Sequence, residues 1–94
     1  MKVIFTDVFT KNVKNIRDNK LAAKVSGRLT KLIDHDDFGD HKYLDDKLFE
    51  MRIHECGGYR MYYTMQDINT VVLLLCAGPK SNQKRDIARA RKML

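Results

Sequence analysis

The sequence predicts an α+β fold, with an N-terminal strand and a helical hairpin packed on a small, mainly antiparallel sheet and a helix at the C-terminus. Three observations support this prediction. Apolar and polar residues alternate along residues 49–53 and 59–65, which is the pattern of strands with one buried face. Residues 71–77 form an unbroken apolar run, which is typical of a strand covered on both faces. Upstream of these segments apolar residues recur at helical spacing, so the predicted order of elements is β-α-α-β-β-β-α.

The N-terminal part is predicted to contain one strand and two helices. Residues 2–6 form the strand, and Thr6 or Asp7 can cap the helix that follows. A second helix begins near Lys20 and stops at Gly39, since glycine is common where helices end. Each helix has an apolar face: Phe9, Val13 and Ile16 in the first, and Ala22, Val25, Leu29, Leu32 and Ile33 in the second. We expect the cations of this helical hairpin to point to water: Lys14, Arg17, Lys24, Arg28 and Lys31.

The composition changes between the helices and the first alternating strand. Residues 34–46 hold six aspartates beside His35 and His41. The segment lacks the ligand spacing of an HExxH helix or a calcium-binding loop, so we predict no metal site. We expect a polar connection in which residues 41–44 can add a short strand.

The two alternating strands are joined through Cys56, Gly57 and Gly58. If these three residues form the hairpin loop, with a glycine at the position that requires a positive φ, His54 lies opposite Arg60. The polar side chains of both strands then share one solvent-exposed face, which carries Glu50, Arg52, His54, Arg60 and Tyr62.

The apolar run at residues 71–77 is predicted to be the central strand, and Gly78 and Pro79 end it. A last helix follows from Ser81. Its inward residues are Ile87, Ala90 and Leu94, and its outward cations are Lys84, Arg85, Arg89 and Lys92.

Length, charge and cysteine content limit the function classes. Ninety-four residues provide one modest core, so we predict a single domain over residues 1–94. The apolar run at residues 71–77 is far shorter than the roughly 20 residues needed to cross a bilayer, and the N-terminus lacks a signal-peptide core, so we expect a cytoplasmic protein. Cys56 and Cys76 form no metal or disulfide pattern, and we expect both to be reduced thiols.

The formal net charge is +6, and the positive excess lies mainly in the C-terminal half. This distribution favours a polyanionic partner such as a nucleic acid, because each neutralised phosphate releases counterions. Two alternatives fit the same charge: a helix face that is simply solvated, or an acidic protein partner.

The predicted polar face has the residue types needed to cleave RNA. Arg52 and Arg60 can bind a phosphate bidentately without a metal or other cofactor, and Lys80 and Lys84 can approach it from the side. His54 is a candidate general base, which we expect to be neutral beside Arg60 and the lysines. The other candidate base is Glu50.

Each of these assignments has a structural alternative. Glu50 and Arg52 can form an ion pair with each other, and His54 can be a residue of the strand end without a catalytic role. Lys80 can be merely solvated. Tyr59 and Tyr63 fall on the apolar side of the alternation, where core packing is the usual role.

Several segments together resemble the addiction module killer branch of the RelE/ParE toxin superfamily, which includes the HigB-type toxins. The resemblance is carried by residues 48–53, 58–63, 73–78 and 80–90, and their order and spacing are more specific than any single segment. It implies a RelE-like fold and a type II toxin that cleaves messenger RNA on the ribosome without a metal. It further implies a cognate antitoxin, usually a small helix-turn-helix protein, through which the toxin is held on operator DNA.

The resemblance also suggests roles for individual residues. Arg60 corresponds to a phosphate-binding catalytic arginine, Arg52 to a catalytic lysine or arginine, and Lys80 lies near a third basic position. Cations and an aromatic residue at four further positions are expected to contact RNA: Lys84, Arg85, Tyr62 and Arg89.

In one respect the chain departs from the family pattern. Many RelE-like nucleases have a tyrosine or histidine near the C-terminus, where this chain has Asp86 and Ile87, so His54 or Glu50 would have to act as the base. A toxin of low activity is therefore one alternative. Another is a ParE-like toxin, which shares the fold and poisons DNA gyrase by binding.

Overall fold

The computed structural model describes residues 1–68 and 70–94, and these residues form a five-stranded sheet with three α-helices. The elements in chain order are β1 (Lys2–Phe5), α1 (Asp7–Lys14), α2 (Asn19–His35), β2 (His41–Asp45), β3 (Leu48–Ile53), β4 (Tyr59–Gln66), β5 (Val71–Pro79) and α3 (Gln83–Lys92), with a 3₁₀ turn at Lys80–Asn82. The predicted fold class and order are confirmed, and β2 is the short strand expected near residues 41–44. Within residues 1–68 and 70–94, no helix is both long and apolar enough to cross a membrane.

The strands lie in the order β1-β5-β4-β3-β2. β1 runs parallel to β5, and every other pair is antiparallel, as predicted for a mainly antiparallel sheet. The central strand is β4, so the prediction that residues 71–77 occupy the centre is wrong. The reason is that β2 adds a strand beyond β3 and moves the middle of the sheet by one position.

β5 also continues further than its sequence suggests. Gly78 pairs with Arg60 and Pro79 with Tyr59, so the glycine and proline extend the strand instead of ending it. Proline is tolerated here because it is the last residue of the strand, where its missing amide hydrogen removes no bond from the interior of the ladder. The next amide, that of Lys80, donates to the Gly58 carbonyl at 3.0 Å.

The polar residues at the helix starts fix where α1 and α2 begin. Thr6 caps α1, as expected, because its Oγ1 accepts a hydrogen bond from the Phe9 amide at 3.0 Å. Asp18 caps α2 in the same way. α2 ends at His35, four residues before the predicted Gly39, because the next residue, Asp36, adopts a left-handed conformation with φ 54°.

Both faces of the sheet are covered. On one face α1 and α2 bury a core that includes Phe9, Leu21, Val25, Leu32, Met51, Ile53, Tyr59, Met61 and Tyr63. On the other face α3 packs through Ala90 on Leu48, Tyr62, Leu75 and Cys76. The face that carries the predicted catalytic residues is therefore largely covered by α3.

Candidate active site

The β3–β4 hairpin places Arg52 and Arg60 directly opposite each other. The prediction of a three-residue loop is wrong, since the strands end at Ile53 and Tyr59 and five residues connect them. The loop is closed by a hydrogen bond of 3.0 Å from the Gly58 amide to the Glu55 carbonyl. The register differs from the predicted one by two residues, and an even shift leaves each side chain on its predicted face.

Arg52 and His54 both bind one carboxylate, that of Asp40. Arg52 donates to Asp40 Oδ1 from Nη2 at 2.8 Å and from Nε at 3.2 Å, and His54 Nε2 contacts Asp40 Oδ2. The hydrogen bond from Arg52, and then that of His54, lowers the pKa of Asp40 from its ordinary value. His54 therefore has a carboxylate as its partner, in place of the expected Arg60, and Arg52 pairs with Asp40 in place of Glu50.

Arg28 holds the backbone around this cluster. Its guanidinium donates to the carbonyls of Arg52 at 2.6 Å, Phe38 at 2.8 Å and Asp40 at 2.9 Å. The sequence predicted that Arg28 points to water, which is wrong because these three carbonyls converge on it. Arg28 therefore ties α2 to β3 and to the segment before β2.

Arg60 lies beneath the surface, although the sequence predicted an exposed side chain. It is 4% exposed, and its Nη1 donates to the carbonyls of Tyr59 at 3.2 Å and Ile53 at 3.3 Å. Its Nε has no hydrogen-bond partner among the residues that the structure describes. The prediction of a solvent-exposed face fails here because α3 and the end of β5 cover this part of the sheet.

Glu50 and Tyr62 are paired across β3 and β4, and both are buried. Gln83, the first residue of α3, donates to Glu50 Oε2 at 3.1 Å. Burial raises the pKa of Tyr62, with Glu50 contributing further. Because Tyr62 has no exposed surface, it cannot stack on a base in this conformation, and the prediction of an RNA contact fails for it.

Lys80 is exposed and lies against the hairpin loop that carries His54. Its side-chain methylenes pack on Gly58 so closely that a Cβ at Gly58 would come within 3.0 Å of Lys80 Cβ. The structure thus brings Arg52, His54 and Lys80 to one end of the sheet, next to the buried Arg60.

Of the cations of α3 expected to contact RNA, Lys84 and Arg85 are exposed. Arg89 is half-buried and donates from Nη2 to Asn12 Oδ1 at 3.2 Å and to Asp86 Oδ1 at 3.3 Å. Asn12 also accepts from the Ala77 amide at 3.0 Å. Arg89 therefore links α1, β5 and α3, which makes a structural role the better explanation of this residue.

Sequence reasoning did not single out Asp40 or Arg28. Asp40 is one of six aspartates in residues 34–46, and Arg28 is one of several cations on α2, so neither stands out in composition or spacing. Their roles depend on contacts between residues 12 and 24 positions apart.

The sheet order and helix placement match those of RelE toxins. A double mutant of Escherichia coli RelE in the free state aligns with a TM-score of 0.73 over 99% of this chain and 96% of RelE, at 14% identity. The intact E. coli RelBE toxin–antitoxin complex gives a TM-score of 0.65 over 83% and 94%, at 15% identity. The RelBE2 toxin–antitoxin complex of Mycobacterium tuberculosis gives 0.61 over 84% and 96%, at 24% identity. The fold of this chain is the RelE fold.

A closer sequence relationship exists to an uncharacterized protein of Haemophilus influenzae. The two are 40% identical over 85 residues, which cover 90% of this chain and 81% of the relative. The chain belongs to the same family as that protein. No family model matches the sequence.

Proposed function

We propose that this chain is a type II toxin of the HigB-like branch, an endoribonuclease that cleaves messenger RNA on the ribosome without a metal. The observation that supports the proposal best is the grouping of Arg52, His54 and Lys80 at one end of the sheet beside Arg60. The RelE fold adds support, since its known members include toxins crystallised with their antitoxins.

The proposed reaction is an in-line transesterification. His54 takes the proton of the 2′-hydroxyl, the 2′-oxygen attacks the phosphorus, and the bond from phosphorus to the 5′-oxygen breaks. The leaving 5′-oxygen takes a proton from the ammonium of Lys80. Arg52 stabilises the negative charge on the non-bridging oxygens, which is the largest contribution that such a site offers.

Arg60 contributes a buried positive charge next to this site. Its charge lies in a region of low dielectric constant, where its effect on a phosphate is greater than at the surface. Because Arg60 is buried, replacing it by alanine would alter the packing as well as the charge, so the exposed His54 gives a cleaner test. Glu50 and Tyr62 are not part of the proposed catalytic set.

We infer that the partner of the toxin is a cognate antitoxin, a small helix-turn-helix protein that carries it to operator DNA. The formal charge of +6 favours both RNA and an acidic antitoxin segment. Because the proposed substrate is messenger RNA on the ribosome, we infer that the toxin acts in the cytoplasm.

The test is to add purified protein to a reconstituted translation system and to map the 5′ ends of the messenger RNA. We expect in-frame cuts at the ribosomal A site. The His54→Ala variant should cut about 10²- to 10⁴-fold more slowly, which is the usual contribution of a general base. The matched control is His35→Ala, which removes an exposed histidine at the end of α2.

Two results would contradict the proposal. Intact messages together with gyrase-dependent DNA breaks would indicate a ParE-like toxin. Equal cutting by wild type and the His54→Ala variant would remove His54 from the mechanism.

A further inference from the structure

We infer that Asp40 is a positioning residue, which orients His54 and Arg52 for catalysis. This inference rests on the proposed nuclease function. It adds a residue from outside the β3–β4 hairpin to the site, at the end of the segment that joins α2 to β2.

The contact with His54 determines which ring nitrogen can act as a base. Asp40 Oδ2 accepts from His54 Nε2, so the proton of the neutral ring stays on that nitrogen. The lone pair on Nδ1 is then available to take the 2′-hydroxyl proton. The same division of roles holds where a buried aspartate orients the histidine of a serine protease.

The contact with Arg52 orients the guanidinium. Its Nε and Nη2 donate to Asp40 Oδ1, which fixes the plane of the group through two hydrogen bonds. The hydrogens of Nη1 take no part in these two hydrogen bonds to Asp40 and can bind a phosphate oxygen. Asp40 thus fixes the orientation of the proposed base, His54, relative to the proposed phosphate-binding group, Arg52.

Asp40 is itself held firmly by its backbone. Its carbonyl accepts from the Arg52 amide at 2.8 Å and from Arg28 Nη2 at 2.9 Å. The preceding Gly39 has φ +62°, and a Cβ there would lie 2.7 Å from Arg28 Nε. A side chain at residue 39 would displace the Arg28 guanidinium. Glycine at this position therefore allows Arg28 to hold the Asp40 backbone.

The titratable and charged groups around Asp40 come from three elements. Arg52 and His54 belong to β3 and its loop, Arg28 to α2, and His41 to the start of β2. Because the contacts of Asp40 with Arg52 and His54 keep its pKa low, the carboxylate remains charged throughout the neutral range.

The principal experiment is a double-mutant cycle on RNA cleavage. We expect Asp40→Ala to lower kcat by roughly 10- to 100-fold with a smaller change in KM, as is typical when an orienting carboxylate is lost. In the His54→Ala background the same change should cost clearly less than in wild type, because only the part that acts through Arg52 remains, and residues that act as one unit are not additive. The control is Asp34→Ala, which removes an exposed aspartate of the same acidic segment outside this cluster.

A second measurement is independent of catalysis. The Asp40 carboxyl is titrated by NMR in wild type and in the Arg52→Ala variant, and loss of the principal hydrogen bond should raise its pKa toward 3.8. The lowered pKa also sets how stability depends on pH. The cluster stabilises the fold above the ordinary carboxyl pKa of 3.8, and this contribution is lost as the pH falls through the pKa of Asp40 in the folded state.

The outcomes separate the two proposals. If wild type cuts RNA and Asp40→Ala cuts equally well or faster, the positioning role is wrong while the nuclease stands. An additive loss in the His54→Ala background, or an Asp40 pKa unaffected by Arg52→Ala, would also overturn it. If wild type does not cut, the nuclease is wrong, and the role of Asp40 falls with it even if the titration shows the predicted shift.

Discussion

At the residue scale, Gly78 shows how a missing side chain allows α3 to pack. A Cβ at Gly78 would lie 2.1 Å from Oδ2 of Asp86, a carboxylate that is 1% exposed. The other oxygen of Asp86 is 3.3 Å from Arg89 Nη2. Glycine at this position therefore lets a buried carboxylate, and with it the first part of α3, approach β5 closely.

We predict that Gly78→Ala destabilises the protein by about 2 kcal/mol or more, because a Cβ 2.1 Å from Asp86 Oδ2 would force the buried carboxylate to shift, and overpacking is costly. Denaturant unfolding followed by circular dichroism would measure the loss. The control is Gly27→Ala in α2, where a Cβ would meet nothing within 4 Å. This second change should stabilise by about 0.5–1 kcal/mol through the helix propensity of alanine, and a similar loss in both variants would refute the steric explanation.

At the element scale, Thr6 connects α1 to the sheet. Besides capping the helix, its hydroxyl donates to the Leu75 carbonyl at 2.7 Å. The backbone amide of Thr6 donates to the Leu74 carbonyl at 3.1 Å, so the end of β1 and the start of α1 are both fixed on β5. This arrangement ties the start of the helical hairpin to β5.

We predict that Thr6→Ala lowers the free energy of unfolding by about 1–2 kcal/mol, since it removes the N-cap. Thr6→Ser keeps the hydroxyl and should recover most of the loss. The control is Thr10→Ala, an exposed position on the same helix, where a change within about 0.5 kcal/mol is expected. Thermal unfolding would compare the three variants, and equal effects of the alanine substitutions at the two positions would exclude the cap as the cause.

At the scale of the whole molecule, the distribution of charge favours binding of a polyanion on the face of the sheet that α3 covers. Residues 48–94 hold eight basic residues against four acidic ones, whereas residues 1–47 hold ten against eight. Several of these cations are already paired, such as Arg91, which donates to both oxygens of Asp45 at 2.6 Å. Lys84, Arg85 and Lys92 of α3 remain exposed and can attract a polyanion.

We predict that single-stranded RNA binds more weakly as salt increases, and that Lys84→Ala reduces the slope of log K against log salt by about 0.7 to 1. Lys31→Ala removes the same charge from α2, on the opposite face of the sheet, and should leave the slope nearly unchanged. Fluorescence anisotropy at several salt concentrations provides the measurement. Equal slopes for the two variants would show that RNA does not bind along α3.

Much of the fold could be predicted because its signals are local. The cap at Thr6, the alternation in β3 and β4 and the apolar run of β5 are each visible within a few residues. The hairpin register was wrong by two residues, since Cys56, Gly57 and Gly58 all take positive φ in a loop longer than expected. An even shift preserves the faces, so Arg52 and Arg60 share a face as predicted, and the shift places them directly opposite each other.

The candidate site could be predicted only in part. Arg52, His54 and Lys80 do lie at one end of the sheet, but Glu50, Arg60 and Tyr62 are buried. Periodicity shows which side chains share a face, and it does not show whether another element covers that face. That outcome depends on Ala90 and Gly78, which permit α3 to approach closely.

The sequence by itself therefore determined the order of helices and strands, the two faces of the sheet and the excess of positive charge. The tertiary structure alone decided which polar residues stay accessible and that Asp40 joins Arg52 and His54. The physical reason is range: secondary structure follows from propensity and periodicity among neighbours, whereas burial and the Asp40 cluster arise from contacts between segments far apart in the chain.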